Sequence, residues 1–159
     1  MALLLTEELV REGINLALPT VRALTEKYTW GPQGVVIVVD AKGLSEQFVF
    51  VMKELGPRDT WKNRKGEPVD FEMVARYKAS LARRMGKSTE SVVNNSPWSL
   101  DEGNYFYAGG AAEDSDLGVG ASGAYGETDE ACAWVVWNCI RLLCRRKIAE
   151  MREQGINRL

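Results

Sequence analysis

Lys78 is the residue whose position most strongly suggests chemistry. Apolar residues recur at helical spacing across residues 70–85, and Lys78 falls inside that apolar arc. A lysine there must reach solvent or meet an anion, because an unpaired buried charge is costly. Desolvation shifts an amine towards nucleophilic or general-base use. We therefore interpret Lys78 either as a ligand-binding or catalytic residue or as half of a structural salt bridge, with Asp40 or Glu113 as its partner.

Asp40 follows five consecutive apolar residues, Val35–Val39, which predict a central strand that is covered on both faces. A carboxylate at the end of such a strand is a candidate general base or a partner for Lys78. The alternative is that Asp40 only caps a turn.

A glycine-rich segment offers a second kind of site. Gly118 and Gly120 alternate with apolar residues, so one face of the predicted strand lacks side chains and another element must lie against it. Thr128 is predicted to cap the helix that follows. The amides of Gly120–Gly123, with Ser122 among them, converge where strand meets helix and could hold an oxyanion. The alternative is that the glycines only allow a helix to pack closely.

Aromatic residues could line a pocket near these groups. Tyr105 and Tyr107 alternate on one predicted strand and therefore share a face. With Tyr77 and Trp98 they could form an aromatic pocket with hydroxyl donors, although simple packing on a sheet is the alternative. The long basic loop Gly56–Val69 is a candidate lid.

The order of predicted elements indicates one α+β domain, residues 1–159, with an antiparallel sheet and helices packed on it. Along the chain the predicted elements are a helix from Thr6, strands Val35–Val39 and Gln47–Lys53, a helix from Asp70 to Met85, a short helix Ser88–Asn94, strands Asn104–Ala112 and Asp116–Ser122, and a long helix Asp129–Gln154.

Composition excludes several classes of function. The 159 residues carry a formal net charge of −2, which argues against a nucleic-acid binder, and no apolar run is long enough to span a membrane. There is no histidine, so Ser-His-Asp triads, His-based zinc sites and His-ligated haem are excluded. The three cysteines fall in one predicted helix and are interpreted as reduced core residues of a cytoplasmic protein, with no secretory signal before them.

The last helix is apolar on two sides. Cys132, Val136 and Cys139 form one stripe, and Trp134 and Trp137 point to the other side. We expect a second subunit to cover the tryptophans in a homo-oligomer, and coverage by the first helix is the alternative.

Several of these segments together resemble the GlcG/HbpS-like family, which is related to the C-terminal domain of PduO-type proteins. The matching segments are Val35–Asp40, Ala75-x-x-Lys78-Ala79, Gly109-Gly110, Gly118–Ala124 and Asp129-Glu130-x-x-Ala133. The family's usual Gly-Gly-Val-Pro-Ile is here Gly-Gly-Ala-Ala-Glu. The resemblance implies a profilin-like sandwich with a long C-terminal helix and a ligand pocket near Lys78.

These patterns predict a small-ligand-binding protein, or a cofactor-free enzyme of lyase or isomerase type that acts on a small organic acid or carbonyl compound. Its catalytic residues would be Lys78 and Asp40. The predicted ligand-binding residues are Tyr77, Tyr105, Tyr107, Gly109, Gly110, Gly120, Ser122 and Gly123. One alternative is a haem or tetrapyrrole binder that uses Tyr, Cys, Lys or Met as the iron ligand, and another is a non-catalytic structural oligomer. No metal site and no membrane partner are expected.

Overall fold

Between the first and last helices, the part of the chain that the structure describes forms two strands, two α-helices and two further strands. The computed structural model describes residues 4–103, 105 and 107–159. Its elements are α1 (Glu7–Lys27), β1 (Val36–Ala41), β2 (Phe48–Val51), α2 (Phe71–Met85), α3 (Thr89–Asn95), β3 (Gly110–Ala111), β4 (Leu117–Ser122) and α4 (Gly126–Glu153). Single 3₁₀ turns occur in the loops before α2 and after α3.

The strands form one antiparallel sheet in the order β2-β1-β4-β3. In its centre, Val38 on β1 lies opposite Gly120 on β4. The sheet is covered on both faces, with α2 on one side and α1 and α4 on the other. The α+β sandwich with an antiparallel sheet and a long C-terminal helix is therefore confirmed.

The apolar run at β1 is divided between the two faces. Val36 and Val38 pack under α2, whereas Ile37 and Val39 belong to the core beneath α1 and α4. Because successive side chains of a strand point to opposite faces, a strand buried on both sides must be apolar throughout. This is why the segment lacks the alternation of a half-exposed strand.

The bare face of β4 is covered by α2. A Cβ atom on Gly120 would overlap the carbonyl oxygen of Ala75, and one on Gly118 would overlap that of Ala79. The helix backbone thus lies directly on the strand backbone. The interpretation of these glycines as residues that allow close helix–sheet packing is correct.

Helix boundaries in the first half of the chain follow their capping residues. The Thr6 hydroxyl accepts a hydrogen bond from the Leu9 amide at 3.2 Å, and the Asp70 carboxylate accepts one from the Met73 amide at 3.1 Å. Gly86 ends α2 in the left-handed conformation, with φ of 64°. All three capping roles were predictable from the sequence.

Two predictions for the second half were wrong. The predicted strand Asn104–Ala112 is reduced to Gly110–Ala111, and Asn104 and Phe106 lie outside the described residues. The last helix begins at Gly126, three residues earlier than predicted, with Tyr125 at its N-cap. Thr128 is therefore inside the helix, where its hydroxyl donates a hydrogen bond to the carbonyl of Tyr28 at 2.7 Å.

Trp137 lies in the core of the single chain, so the prediction that it faces a partner subunit is wrong. It is 5% exposed, and its indole N–H donates to the Leu117 carbonyl at 3.3 Å. Trp134 is half-buried and meets the Trp137 ring edge-on at 5.5 Å. The first helix was the alternative cover for the tryptophans, and α1 does pack against α4 in one core within the same chain. Self-association stays a prediction.

No helix within the described ranges has both the length and the apolar character needed to cross a membrane.

Candidate functional site

A cavity of about 450 Å³ opens where β4 ends and α4 begins. Its walls come from α2, from the loop before α2, and from the β4–α4 turn. The residues that line it are Trp30, Asn63, Arg64, Lys65, Glu67, Val69, Phe71, Val74, Lys78, Tyr105, Tyr107, Ser122, Gly123, Ala124, Tyr125, Gly126 and Asp129. The volume is in the range of small-molecule sites.

Lys78 extends from α2 to a carboxylate on α4, where the two residues form a buried ion pair on the cavity floor. Its Nζ lies 3.2 Å from Oδ2 of Asp129 and 3.0 Å from the carbonyl oxygen of Ala121. The Lys78 side chain is only 3% exposed, and that of Asp129 is similarly buried. Burial of both charges is tolerable because each has a counter-charge and further hydrogen bonds.

Asp129 is the residue that the sequence interpretation missed. Its Oδ1 accepts a hydrogen bond from the Ala124 amide at 2.9 Å. Burial raises the pKa of this carboxyl to about 6, although the charge of Lys78 and the Ala124 amide oppose the rise. The only signal in the sequence is an acidic residue in the first turn of a predicted helix, and a carboxylate there is explained equally well by the helix dipole.

Two polar groups on the floor remain available to a ligand. An ammonium group has three donors, and only two of those of Lys78 have acceptors among the described residues. The hydroxyl of Ser122 makes no hydrogen bond to any described residue, although Ser122 is only 5% exposed and lines the cavity. The Ser122 oxygen is not among the fully buried side-chain atoms that lack a hydrogen-bond partner, so it is open to the cavity and can bond to a ligand there.

Gly109 and Gly110 make room for the lysine. A Cβ atom on Gly109 would lie 2.7 Å from Nζ of Lys78, and its φ of 129° disfavours any other residue. The amide of Gly110 donates to the hydroxyl of Thr89 at 3.0 Å, and a Cβ there would overlap the Thr89 side chain. These glycines support the site sterically and do not line the cavity.

The predicted oxyanion site at Gly120–Gly123 is largely occupied by the protein itself. Gly120 lies under α2, outside the cavity lining. The Ala121 amide donates to the Gly109 carbonyl at 2.8 Å. The amides of Gly123 and Ala124, which follow the strand, donate to the Asp129 carboxylate. The anion expected at this turn is therefore the protein's own carboxylate. Gly123 lines the cavity, with a φ of 139°.

Asp40 is not part of this site. Its carboxylate pairs with the guanidinium of Arg83 at 2.5 Å and accepts a hydrogen bond from the Gln47 amide at 3.2 Å. It lies opposite Gly118 in the sheet, whereas Lys78 reaches the strand at Ala121. The prediction that Asp40 pairs with Lys78 is wrong, because the lysine bends towards the other end of β4.

Only some of the predicted aromatic residues reach the cavity. Tyr105 and Tyr107 line it. Tyr77 is 41% exposed and packs against Tyr105, with ring centroids 5.6 Å apart, but it stays outside the lining. Trp98 is 81% exposed and also lies elsewhere. The apolar wall is completed by Trp30 and other residues that sequence spacing alone did not indicate.

The loop before α2 forms one wall of the cavity, and its role as a lid stays a prediction. The side chain of Trp61 is buried, donates to the Leu55 carbonyl at 2.9 Å, and stacks on Phe71 at 5.7 Å. Beyond it, Asn63 closes a tight turn by accepting from the Lys65 and Glu67 amides at 2.9 and 3.0 Å. The base of the loop is thus anchored by Trp61, and its tip is held by the hydrogen bonds of Asn63.

Metal and haem ligation find little support in the side-chain geometry. Within the described part of the chain, no three or more acidic or cysteine side chains are grouped to hold a metal ion. Burial raises the pKa of the Cys132 thiol to about 12, which disfavours the thiolate that a haem iron would need.

No family model, curated protein or solved structure matches this chain. The resemblance to the GlcG/HbpS-like family consequently stays a prediction.

Proposed function

We propose that the protein binds a small organic acid or carbonyl compound in the cavity between α2, β4 and α4. The observation that carries this proposal is the Lys78–Asp129 pair on the cavity floor, where one lysine donor and the Ser122 hydroxyl have no partner in the described part of the chain. A ligand oxygen would accept from both groups and complete their hydrogen bonding.

The character of the walls also favours such a ligand. Trp30, Phe71 and Val74 provide an apolar surface. Three exposed charged residues of the loop also line the cavity, and the two cations, Arg64 and Lys65, outnumber the one carboxylate, Glu67. A few polar groups in a mostly apolar cavity are typical of small-molecule sites. The combination suits a compact molecule with an apolar body and oxygen acceptors.

The same arrangement supports proton transfer. A carboxyl with a pKa of about 6 can take up and return a proton near neutral pH. Lys78 would stabilise the negative charge that develops on a carbonyl oxygen when a proton leaves the neighbouring carbon. Asp129 would be the base in that step and would afterwards return a proton to carbon or oxygen.

Calorimetric titration with 4-acetylbenzoate, which carries a carboxylate, an aromatic body and a ketone, tests the proposal. We expect Lys78→Met to weaken binding at least about tenfold, or 1.4 kcal/mol. The double variant Lys78→Met with Asp129→Asn avoids an unpaired buried carboxylate and should weaken binding similarly. Arg83→Met on the same helix, whose ion pair lies outside the cavity, is the matched control.

Native mass spectrometry of freshly purified protein gives an independent measurement, in which a co-purified ligand should be lost from both Lys78 variants. Exchange of the probe's methyl protons in D₂O tests for proton transfer. Equal exchange rates with wild type and Lys78→Met would identify a binder without this activity. Unchanged binding by both Lys78 variants would show that the lysine is structural and contradict the proposal.

A further inference from the structure

The basic tip of the loop before α2 stands over the cavity in a defined position. Lys62 and Pro68 form an isolated bridge, and the Asn63 amide donates to the Glu67 carbonyl at 2.8 Å. The Asn63 side chain also donates to the carboxylate of Glu67 at 2.8 Å. These bonds fix the turn that carries Arg64 and engage the nearest loop carboxylate.

Arg64 lies over an aromatic ring without a carboxylate partner. Its guanidinium carbon is 5.2 Å from the centroid of the Tyr125 ring. No ion pair or hydrogen bond joins its side chain to any described residue. A guanidinium over a ring keeps its edge of N–H groups free, and that edge matches a carboxylate in a bidentate arrangement.

Tyr125, the residue under Arg64, directly precedes the first residue of α4. Tyr125 is the N-cap but offers no side-chain capping bond, and the amides of Gly126 and Glu127 have no acceptor among the described residues. The positive end of a 28-residue helix therefore lies beside the guanidinium. A helix end alone would not define a site, but here Ser122 lines the same cavity; the residue is 5% exposed, and its hydroxyl has no hydrogen-bond partner among the described residues.

We propose that the cavity selects ligands with two acceptor groups separated by an apolar body. A carboxylate binds at the opening to Arg64, and a carbonyl or hydroxyl oxygen binds at the floor to Lys78 and Ser122. Arg64 is then a specificity-determining residue that orients the ligand, with its reactive end next to Asp129. This inference rests on the proposed function and adds the ligand's chemical class and direction.

A thermodynamic cycle that combines one protein substitution with one ligand change tests this inference. Binding of 4-acetylbenzoate and of acetophenone, which lacks only the carboxylate, is measured on wild type and on Arg64→Gln. We expect Arg64→Gln to weaken 4-acetylbenzoate about tenfold and acetophenone less than about twofold, because only the former offers a partner for the guanidinium.

Arg58→Gln is the matched control. Arg58 belongs to the same loop and, like Arg64, lies over an aromatic ring, here that of Trp61 at 5.7 Å. Unlike Arg64, it is paired with Glu72 and lies outside the cavity lining. It should leave both affinities unchanged. Equal weakening of the two probes by Arg64→Gln, or by Arg58→Gln and Arg64→Gln alike, would overturn the inference.

The outcomes separate this inference from the proposed function. Probe binding that depends on Lys78 but not on Arg64 would overturn the two-ended selection and leave the proposed function standing. Wild type that fails to bind 4-acetylbenzoate but holds a co-purified ligand through Lys78 would also overturn the two-ended selection and leave the proposed function standing. Binding that depends on neither residue would contradict both.

Discussion

A buried lysine is stable only when its neighbours replace the water that it loses. Around Lys78 this is done by one carboxylate and one carbonyl, and the cavity lies next to them. The partner carboxylate belongs to α4, which packs on the other face of the sheet from α2, so the pair connects the two helices. The same two residues can therefore stabilise the fold and serve a ligand, and the two roles require separate measurements.

The structural role is tested by the stabilities of three variants in chemical denaturation. Lys78→Met should lower the free energy of unfolding by about 3–5 kcal/mol, because Asp129 loses its buried counter-charge. Lys78→Met with Asp129→Asn should cost less than the sum of the two single changes. The half-exposed pair Arg83–Asp40 is the control, with an expected coupling of only about 0.2–1 kcal/mol. Additive effects at Lys78 and Asp129 would contradict this role.

At the scale of elements, the site depends on how closely α2 approaches the sheet. Gly118 and Gly120 let the helix backbone reach β4, and this approach brings Lys78 to the level where the strand ends. The turn that follows leads directly into α4, whose first residues supply Asp129. Strand, turn and helix start thus position the ion pair together.

Gly120→Ala tests this close approach. The added Cβ would overlap the Ala75 carbonyl, which belongs to backbone and cannot rotate away, so α2 must shift. We expect a loss of at least about 1–3 kcal/mol in the free energy of unfolding, together with weaker probe binding as Lys78 moves. Gly31→Ala is the control, since its Cβ would meet nothing within 4 Å. Equal stabilities of the two variants would contradict the expected shift.

The elements that sequence predicts best are those with local signals. Thr6, Asp70 and Gly86 mark helix ends through their own backbone preferences, so α1 and α2 were predictable. The start of α4 has no such signal, because Tyr125 provides no side-chain cap. The partner of Lys78 depends on which end of β4 the lysine approaches, and only the assembled sheet determines that. The sequence alone therefore favours Asp40, and not Asp129, as the partner of Lys78.

At the scale of the whole molecule, neighbouring carboxyl groups near the start of α4 connect stability to pH. Burial raises the pKa of Asp129 from 3.8 to about 6. Burial, and then the hydrogen bond and charge of Glu90, raise the pKa of Glu130 from 4.5 to about 7. Glu90 belongs to α3, so this second pair lies between α3 and α4. Both groups hold protons more tightly in the folded state than in the unfolded chain.

The sign of the pH dependence follows from this difference. Between the unfolded and folded pKa values the native state binds more protons, so the stabilisation from each group is complete below the lower value and is lost as pH rises through the higher one. Glu130→Gln removes this contribution, and its stability relative to wild type should therefore increase from pH 4.5 to pH 7.5. Urea denaturation at intervals across that range measures the difference, and Glu127→Gln, an exposed carboxylate in the first turn of α4, controls for net charge. A relative stability of Glu130→Gln that stays constant or falls with rising pH would show that folding does not raise the pKa of Glu130.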